Sequence, residues 1–230
     1  MAKKKEEQKV DILENPEVLA ETLQSAENWV EQHSKLLIAV TSVLLIVVGG
    51  YFGYRYYVND QDQQAQIQMF QAIYYFEADS LNLALNGDGN NLGLLEIIDE
   101  FGMTPAGKLA NYYAGMCYLK KKQYEAAILH LEDFHADDLL VQARCYSLLG
   151  DAYMDQGQYK EAASYYDKAA GYKPNKFFTP SYLMKAGLAY EKLNDKERAI
   201  EAYKTIIEKY SDSQEVQNAQ KYKAKLEPNS

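Results

Sequence analysis

The segment GMTPAGKL, residues 102–109, has the glycine and lysine spacing of a phosphate-binding loop. A true loop of this kind follows a strand and ends in a serine or threonine that binds magnesium. Here an apolar, helix-like stretch precedes the segment, and Leu109 stands where the hydroxyl is needed. Thr104 and Pro105 instead match the cap and the first turn of a helix. The segment therefore predicts a helix start and no nucleotide site.

The three histidines are the next candidates for metal or acid–base chemistry. His130 and His135 lie near Asp133 in the sequence, whereas His33 is far away. This number and placement match neither a zinc site nor a catalytic set, so we expect surface helix residues. The segment NGDGNN, residues 86–91, lacks the alternating acids and closing glutamate of a calcium loop and predicts a turn. Since no other catalytic constellation stands out, we predict no enzyme and no cofactor.

A glycine recurs at intervals of 35 and 37 residues, at Gly115, Gly150 and Gly187. In each copy a tyrosine follows three residues later, an alanine twelve later, and a large side chain sixteen later. These residues are Tyr118, Tyr153 and Tyr190; Ala127, Ala162 and Ala199; and Leu131, Tyr166 and Tyr203. Glycine and alanine let two helices approach closely, so each copy predicts a helix, a short polar turn and a second helix.

This pattern, with a period near 34 residues, resembles the tetratricopeptide repeat. The middle copy keeps the large and small residues of that repeat and closes with Pro174, whereas Leu139 and Ser211 replace the proline in the outer copies. Asn111 replaces the first large residue of the first copy. We predict an all-α fold in which residues 105–210 form three repeats, about 108–141, 143–176 and 180–213. Single repeats cannot bury a core alone, so the copies must stack as a solenoid.

Flanking segments supply the ends of this solenoid. Residues 58–104 contain two apolar-periodic stretches separated by NGDGNN, which predict a linker helix and a degenerate leading hairpin with its turn at NGDGNN. Residues 211–230 carry a thin apolar stripe of Val216, Ala219 and Tyr222. Such a stripe predicts a capping helix, because the end of a solenoid must cover the last apolar face and show water a polar one.

Residues 36–54 contain no charged residue. As a helix they would reach roughly 28 Å, close to the thickness of the hydrocarbon core of a bilayer. Aromatic residues lie on both sides, as at the two membrane–water interfaces. We therefore predict a single transmembrane signal anchor at residues 35–57. A cleaved signal peptide is the alternative, although the 35 preceding residues are too many for a leader and no A-x-A site follows.

Basic residues around the predicted span indicate its orientation. Five lysines precede it, and only Arg55 follows before Lys108. Because cytoplasmic flanks carry the excess of lysine and arginine, residues 1–34 should be cytoplasmic. The repeats should then lie in the periplasm of a bacterium with an inner membrane. Asn15 and Pro16 predict the cap and first turn of an amphipathic helix, which is either a solvated lead-in or a contact or interfacial helix.

The net charge limits the classes of partner. From Asn59 onward there are 18 Lys and Arg against 25 Asp and Glu, a net charge of −7. Such a domain repels nucleic acid and anionic lipid surfaces. The two cysteines, Cys117 and Cys145, would differ by about 10 Å in rise on neighbouring helices, which exceeds disulfide reach. We expect both to be buried as small apolar side chains.

The resemblance to the tetratricopeptide repeat implies a concave surface, lined by the first helix of each repeat, that binds peptides or partner helices. The corresponding positions, called the groove residues below, are Leu109, Tyr112, Met116 and Leu119; Arg144, Ser147, Asp151 and Met154; and Ser181, Met184, Leu188 and Glu191. Their three methionines favour an adaptable apolar groove. The alternative is that these side chains are core or are covered by the leading hairpin.

The complete layout resembles the membrane-anchored ancillary subunit family of the bacterial Sec translocon. That resemblance implies a periplasmic interaction module that assists translocated or folding envelope proteins. Its partners would be translocon subunits, periplasmic chaperones or unfolded clients. One alternative is a structural scaffold for envelope assembly or cell division that binds one fixed folded partner. Another, an import-receptor-like module with cytosolic repeats, requires the opposite topology.

Overall fold

A computed structural model describes residues 16–227 of the chain. The regular secondary structure of this part is entirely helical, which confirms the predicted all-α fold. The chain divides into two compact units, Met1–Tyr57 and Val58–Ser230. Asn15, the predicted cap of the first helix, lies outside the described residues.

Helix α1 runs Pro16–Glu77 and contributes to both units. In the first unit its apolar side chains, among them Leu45, Ile46 and Phe52, are exposed. Within the described residues, one helix is long and apolar enough to cross a membrane, judged by length and composition. The predicted span thus lies inside a longer helix, because no proline or turn signal interrupts the chain between it and the following Gln-rich stretch.

The second unit contains the end of α1 and then a succession of shorter helices. In chain order these are α2 Leu81–Asn86, α3 Leu94–Phe101, α4 Pro105–Lys120, α5 Tyr124–Glu132, α6 Val141–Asp155, α7 Tyr159–Gly171, α8 Thr179–Lys192, α9 Lys196–Lys209 and α10 Val216–Leu226. Helices α4 and α5, α6 and α7, and α8 and α9 form three consecutive hairpins. Each hairpin also packs against the next one, as in a stacked solenoid.

The repeat glycines lie where the two helices of a hairpin touch. In each hairpin the side chain sixteen residues later occupies the space beside the glycine: Leu131 at Gly115, Tyr166 at Gly150 and Tyr203 at Gly187. The alanines at the twelfth position, Ala127, Ala162 and Ala199, are fully buried. The spacing found in the sequence is therefore the packing register of the hairpins.

The turn inside each hairpin places one residue in the left-handed region, seven positions after the glycine. These residues are Lys122, Gly157 and Asn194, with φ of 57°, 75° and 60°. The next amide in the chain donates to a carbonyl five residues back, as Gln158 does to Tyr153 at 2.9 Å. This pattern closes the end of the first helix and satisfies its terminal carbonyls.

The helix start predicted at Thr104 is confirmed. The Thr104 hydroxyl accepts a hydrogen bond from the amide of Gly107 at 3.0 Å, and Pro105 is the first residue of α4. The Asp62 carboxylate, on α1, accepts from the amide of Ala106 at 2.7 Å. These acceptors satisfy free amides at the helix start, which explains the residues of GMTPAGKL without a phosphate ligand.

The leading hairpin differs in its boundaries from the predicted one. The chain turns at Asp79, which has a φ of 56°, and not at NGDGNN, so α2 belongs to the second arm. NGDGNN is a turn inside that arm, and the Asp88 carboxylate accepts from the amides of Asn90 and Asn91 at 2.8 and 2.7 Å. Helix α1 buries Ala65, Met69 and Ala72 in the core shared with α2, α3 and α4.

The leading hairpin also follows the register of the three repeats. Ala72 stands at the glycine position, Tyr75 three residues later and the fully buried Ala84 twelve later. Asp79, seven positions after Ala72, is left-handed like Lys122 and Asn194. The sequence pattern missed this copy because the turn at residues 86–93 lengthens the interval from Ala72 to Gly115 to 43 residues.

The capping helix and the two cysteines lie as the sequence predicted. The stripe of α10 packs on the last hairpin: Ala219 is fully buried, and the Tyr222 ring stacks on Tyr203 with centroids 5.8 Å apart. Cys117 and Cys145 are free and buried, as predicted. Burial raises the pKa of Cys117 to about 11 and that of Cys145 to about 12, so both remain protonated and act as apolar side chains.

Candidate partner-binding groove

The twelve groove residues lie on the first helices of the hairpins, α4, α6 and α8. Their exposure differs from one hairpin to the next. Tyr112, Met116 and Ser147 are buried, and Arg144 is exposed. The others are partly buried: Leu109, Leu119, Asp151, Met154, Ser181, Met184, Leu188 and Glu191.

On α4 the groove positions belong to the hydrophobic core. Tyr112 and Met116 lie in a cluster with Leu131, Phe134 and Cys145. The Tyr112 and Phe134 ring centroids are 5.3 Å apart, and burial raises the pKa of Tyr112 to about 12. Leu109 and Leu119 pack against the same cluster. For this hairpin the structure therefore supports the alternative that the groove positions are core.

The polar groove positions of α6 are occupied by a lysine that the sequence pattern did not select. Lys185 of α8 donates to both oxygens of the Asp151 carboxylate at 2.8 Å and to the Ser147 hydroxyl at 3.1 Å. The Tyr166 hydroxyl donates to Asp151 at 2.7 Å. Ser147 and Asp151 thus hold α6 against α8 and α7. Lys185 sits next to Met184 in the sequence, and only the stacking of the hairpins brings it to Asp151.

Glu191, the last groove position of α8, also connects neighbouring helices, as Ser147 and Asp151 do. Its carboxylate accepts from the Tyr203 hydroxyl at 2.7 Å, and Lys225 of α10 lies 3.8 Å from it. Tyrosine–carboxylate pairs of this kind recur, since Tyr165 donates to Glu132 at 2.8 Å. Burial is the largest cause of the raised tyrosine pKa values, and the neighbouring carboxylates raise them further. The tyrosines therefore stay neutral donors that fix these carboxylates in place.

On α6 and α8 the apolar groove positions are partly buried, as Leu109 and Leu119 are on α4. Met154 and Met184 are partly buried and pack against one core cluster, which is formed by the second and third hairpins and α10. Leu188 is also partly buried. Arg144 is exposed, and its positive charge lowers the pKa of Tyr112 and of Tyr182 against the larger effect of burial. Flexible thioethers suit an extended peptide of varied sequence.

The histidines form no metal site in the described part of the chain. No group of three or more His, Cys, Asp or Glu residues that could hold a metal ion occurs there. His130 lies on α5, as predicted, and is partly buried: its ring stacks on Tyr118 with centroids 5.3 Å apart, and Nδ1 lies 2.9 Å from Oδ1 of Asn111. Burial lowers the pKa of His130. Asn111 departs from the repeat pattern because it pairs with this histidine. His135 is exposed, in the segment after α5.

Comparison with known families fits this architecture. Residues 147–214, from α6 to the turn after α9, match the tetratricopeptide repeat family. Within the all-helical second unit, this stretch is therefore similar to tetratricopeptide repeats. Repeats of this family are protein–protein interaction modules without catalytic activity, which is consistent with the predicted absence of an enzyme function.

One curated relative extends the likeness beyond the matched repeats. A protein of Guillardia theta, described as "Uncharacterized protein ycf37", is 31% identical over 121 residues. The alignment covers 51% of this chain and 66% of that protein, just under two thirds of its length. Neither comparison bears on the Sec translocon.

Proposed function

We propose that this chain is a membrane-anchored interaction module that holds translocated or folding envelope proteins, or their chaperones, beside the Sec translocon. The observation that carries the proposal is the pair Met154 and Met184. Both lie on first helices of a tetratricopeptide solenoid and keep part of their surface exposed. A partner that binds there needs apolar side chains and no fixed sequence.

The surroundings of the two methionines support this function. The pair Lys185–Asp151 and the bond of Tyr203 to Glu191 tie neighbouring helices together. These contacts fix the helices that carry the methionines relative to one another, while a methionine side chain has three rotatable bonds. A rigid frame with adaptable contacts binds several apolar sequences at modest cost in conformational entropy.

The proposed location rests on α1 and on the distribution of charge. An exposed apolar segment precedes the solenoid, and the lysines lie on its amino-terminal side. This arrangement favours an inner-membrane protein with a cytoplasmic amino terminus and periplasmic repeats. Alkaline phosphatase fused after Ser230 should be active in cells, and a fluorescent protein that folds only in the cytoplasm should stay dark there. The reverse result would contradict the periplasmic location.

Client binding is tested with the full chain in detergent or membrane discs. A reduced, unfolded envelope polypeptide with a photoreactive group should cross-link to the chain. Met154→Glu and Met184→Glu should each weaken this capture about tenfold, since a charge in an apolar contact costs a few kcal/mol. Leu129→Glu is the control, because Leu129 is 61% exposed on a second helix.

Thermal melting of each variant separates lost binding from lost folding. The methionines touch the core, so only a variant that keeps its melting transition is informative about binding. Equal capture by the folded methionine variants and by Leu129→Glu would overturn the groove assignment. A single stoichiometric complex with one folded protein, without capture of unfolded chains, would favour the scaffold alternative.

A further inference from the structure

The part of α1 that belongs to the second unit has apolar residues on two opposite faces. One face buries Ala65, Met69 and Ala72 in the core. At about 100° per residue, Ile67, Phe70 and Tyr74 lie roughly on the opposite side of the helix. These three side chains, called the outer stripe below, are 74%, 74% and 58% exposed.

The two ends of the solenoid differ in the polarity of their outward side chains. At the carboxyl-terminal end, α10 covers the last hairpin and turns Gln217, Asn218 and Gln220 towards solvent. Terminal repeats need such a polar outer face to stay soluble. At the amino-terminal end the outward side chains are aromatic and aliphatic, beside a surface depression of about 580 Å³ lined by Gln63, Gln66, Ile67 and Phe70. An exposed apolar patch of this kind indicates a surface that a partner covers.

We propose that the outer stripe pairs with the outer stripe of a second copy of this chain, in parallel and in the same register. The proposal rests on the membrane anchor of the proposed function. Ile67 follows Tyr57, the end of the predicted span, by ten residues. Copies anchored in one membrane share one orientation, so the same residues face each other across a two-fold axis.

Charge confines contact between two copies to a small part of the surface of the second unit. The second unit carries a net charge of −7 from Asn59 onward, so most of its surface repels an identical surface. Residues 63–76 contain no charged residue at all. The stripe is flanked by glutamines, whose amides both donate and accept hydrogen bonds and therefore complement themselves. This neutral segment is suited to contact between identical acidic domains.

The size of the stripe indicates how strongly the copies associate. Aromatic side chains bury about 150–250 Å² each, so three exposed residues offer on the order of 400 Å² per copy. A stable interface between free proteins takes roughly 800 Å² per partner. The stripe alone is too small for that, and anchoring in one membrane supplies the missing contribution by raising the effective concentration. Pairing should therefore occur in membranes.

Cysteine cross-linking of the full chain in membranes tests the pairing. Phe70→Cys and Tyr74→Cys, oxidised mildly in cells that express two differently tagged copies, should yield covalent homodimers. Gln68→Cys is the matched control, because Gln68 is exposed on a different face of the same helix. We expect about tenfold less dimer at Gln68→Cys, since thiols on averted faces exceed disulfide reach. The unaltered chain, with its buried Cys117 and Cys145, gives the background.

A second variant tests whether the side chain of Phe70 contributes to the pairing. Phe70→Gln in the Tyr74→Cys chain should abolish most of the dimer and leave the melting transition unchanged, because Phe70 is outside the core. The absence of dimer at Phe70→Cys, equal dimer at Gln68→Cys, or an adduct with a different protein would each overturn the pairing. Carbonate extraction of the same membranes separates the two proposals. Chains that stay in the pellet without cross-linking refute the pairing alone, and chains that leave it refute the anchor and the pairing together.

Discussion

A Cβ atom on Gly150 would lie 2.5 Å from the ring of Tyr166, sixteen residues later in the chain. Real Cβ contacts essentially never fall below 3.0 Å, so the glycine on α6 exists to admit the tyrosine on α7. The Tyr166 hydroxyl then reaches Asp151, the residue after the glycine, at 2.7 Å. The same tyrosine side chain therefore fills the space beside the glycine and supplies the hydrogen bond between the two helices.

Gly150→Ala should destabilise the chain. The Tyr166 ring is buried and held at its hydroxyl, so it cannot move away, and such overpacking costs about 1–3 kcal/mol. Gly171→Ala is the matched control, because a Cβ at Gly171 meets nothing within 4 Å. It should leave the free energy of unfolding unchanged or raise it slightly. Urea unfolding of both variants measures the difference, and equal stabilities would contradict the packing argument.

The left-handed turn residues predict opposite effects of glycine and alanine. Gly157→Ala should lower the free energy of unfolding by roughly 1–2 kcal/mol, because an L side chain is strained at a φ of 75°. Lys122→Gly should raise stability, or leave it unchanged, since it relieves the same strain at a φ of 57°. Urea unfolding of both variants measures these changes in the free energy of unfolding. A Gly157→Ala variant as stable as the parent chain would show that the turn is not left-handed.

The ion pair Lys185–Asp151 should contribute measurably to the stacking of the second and third hairpins. Its two side chains are each 35% exposed and joined at 2.8 Å. Lys185→Met should cost roughly 1 kcal/mol, since a half-buried pair is less screened than a surface one. Lys204→Met is the control, because the Lys204–Glu208 pair is exposed at 3.7 Å and should contribute almost nothing. A double-mutant cycle with Asp151→Asn isolates the pair, and zero coupling would refute its role.

His130 should make the chain less stable in mild acid. Burial lowers its pKa below the usual value of 6.5, so the unfolded chain binds the proton more readily. Its stabilising contribution is complete above pH 6.5 and is lost as the pH falls towards the folded pKa. The unfolding free energy, measured by urea at pH 7.5 and 5.5, should fall on acidification. His130→Gln should reduce this fall, whereas His135→Gln, at an exposed site, should not.

The register of the hairpins was predictable because it depends on the spacing of residues within one hairpin. Gly115, Gly150 and Gly187 each find their partner sixteen residues later, since two helices joined by a short turn must meet at a constant offset. The Thr104 cap and the buried cysteines follow from similarly local constraints. The leading hairpin was predicted, but its repeat register was not recognised, because the turn at residues 86–93 breaks the interval although the packing positions are the same.

The composition of the groove could not be predicted in the same way. The repeat pattern assigns Ser147 and Asp151 to the groove, but Lys185 of the next hairpin reaches both. Met116 occupies the same repeat position as Asp151 and yet lies in the core. Which side chains remain open depends on the rotation between successive hairpins, and no residue spacing within one hairpin encodes that rotation.

By itself, the sequence determined the helical repeats, their internal register and a segment apolar enough to span a membrane, because each depends on residues close together along the chain. Only the tertiary structure decided that the polar groove positions connect neighbouring helices, that His130 is partly buried against Tyr118, and that Ile67, Phe70 and Tyr74 face outward. Those outcomes depend on which helices meet across the solenoid, and contacts between distant residues leave no periodic trace in the sequence.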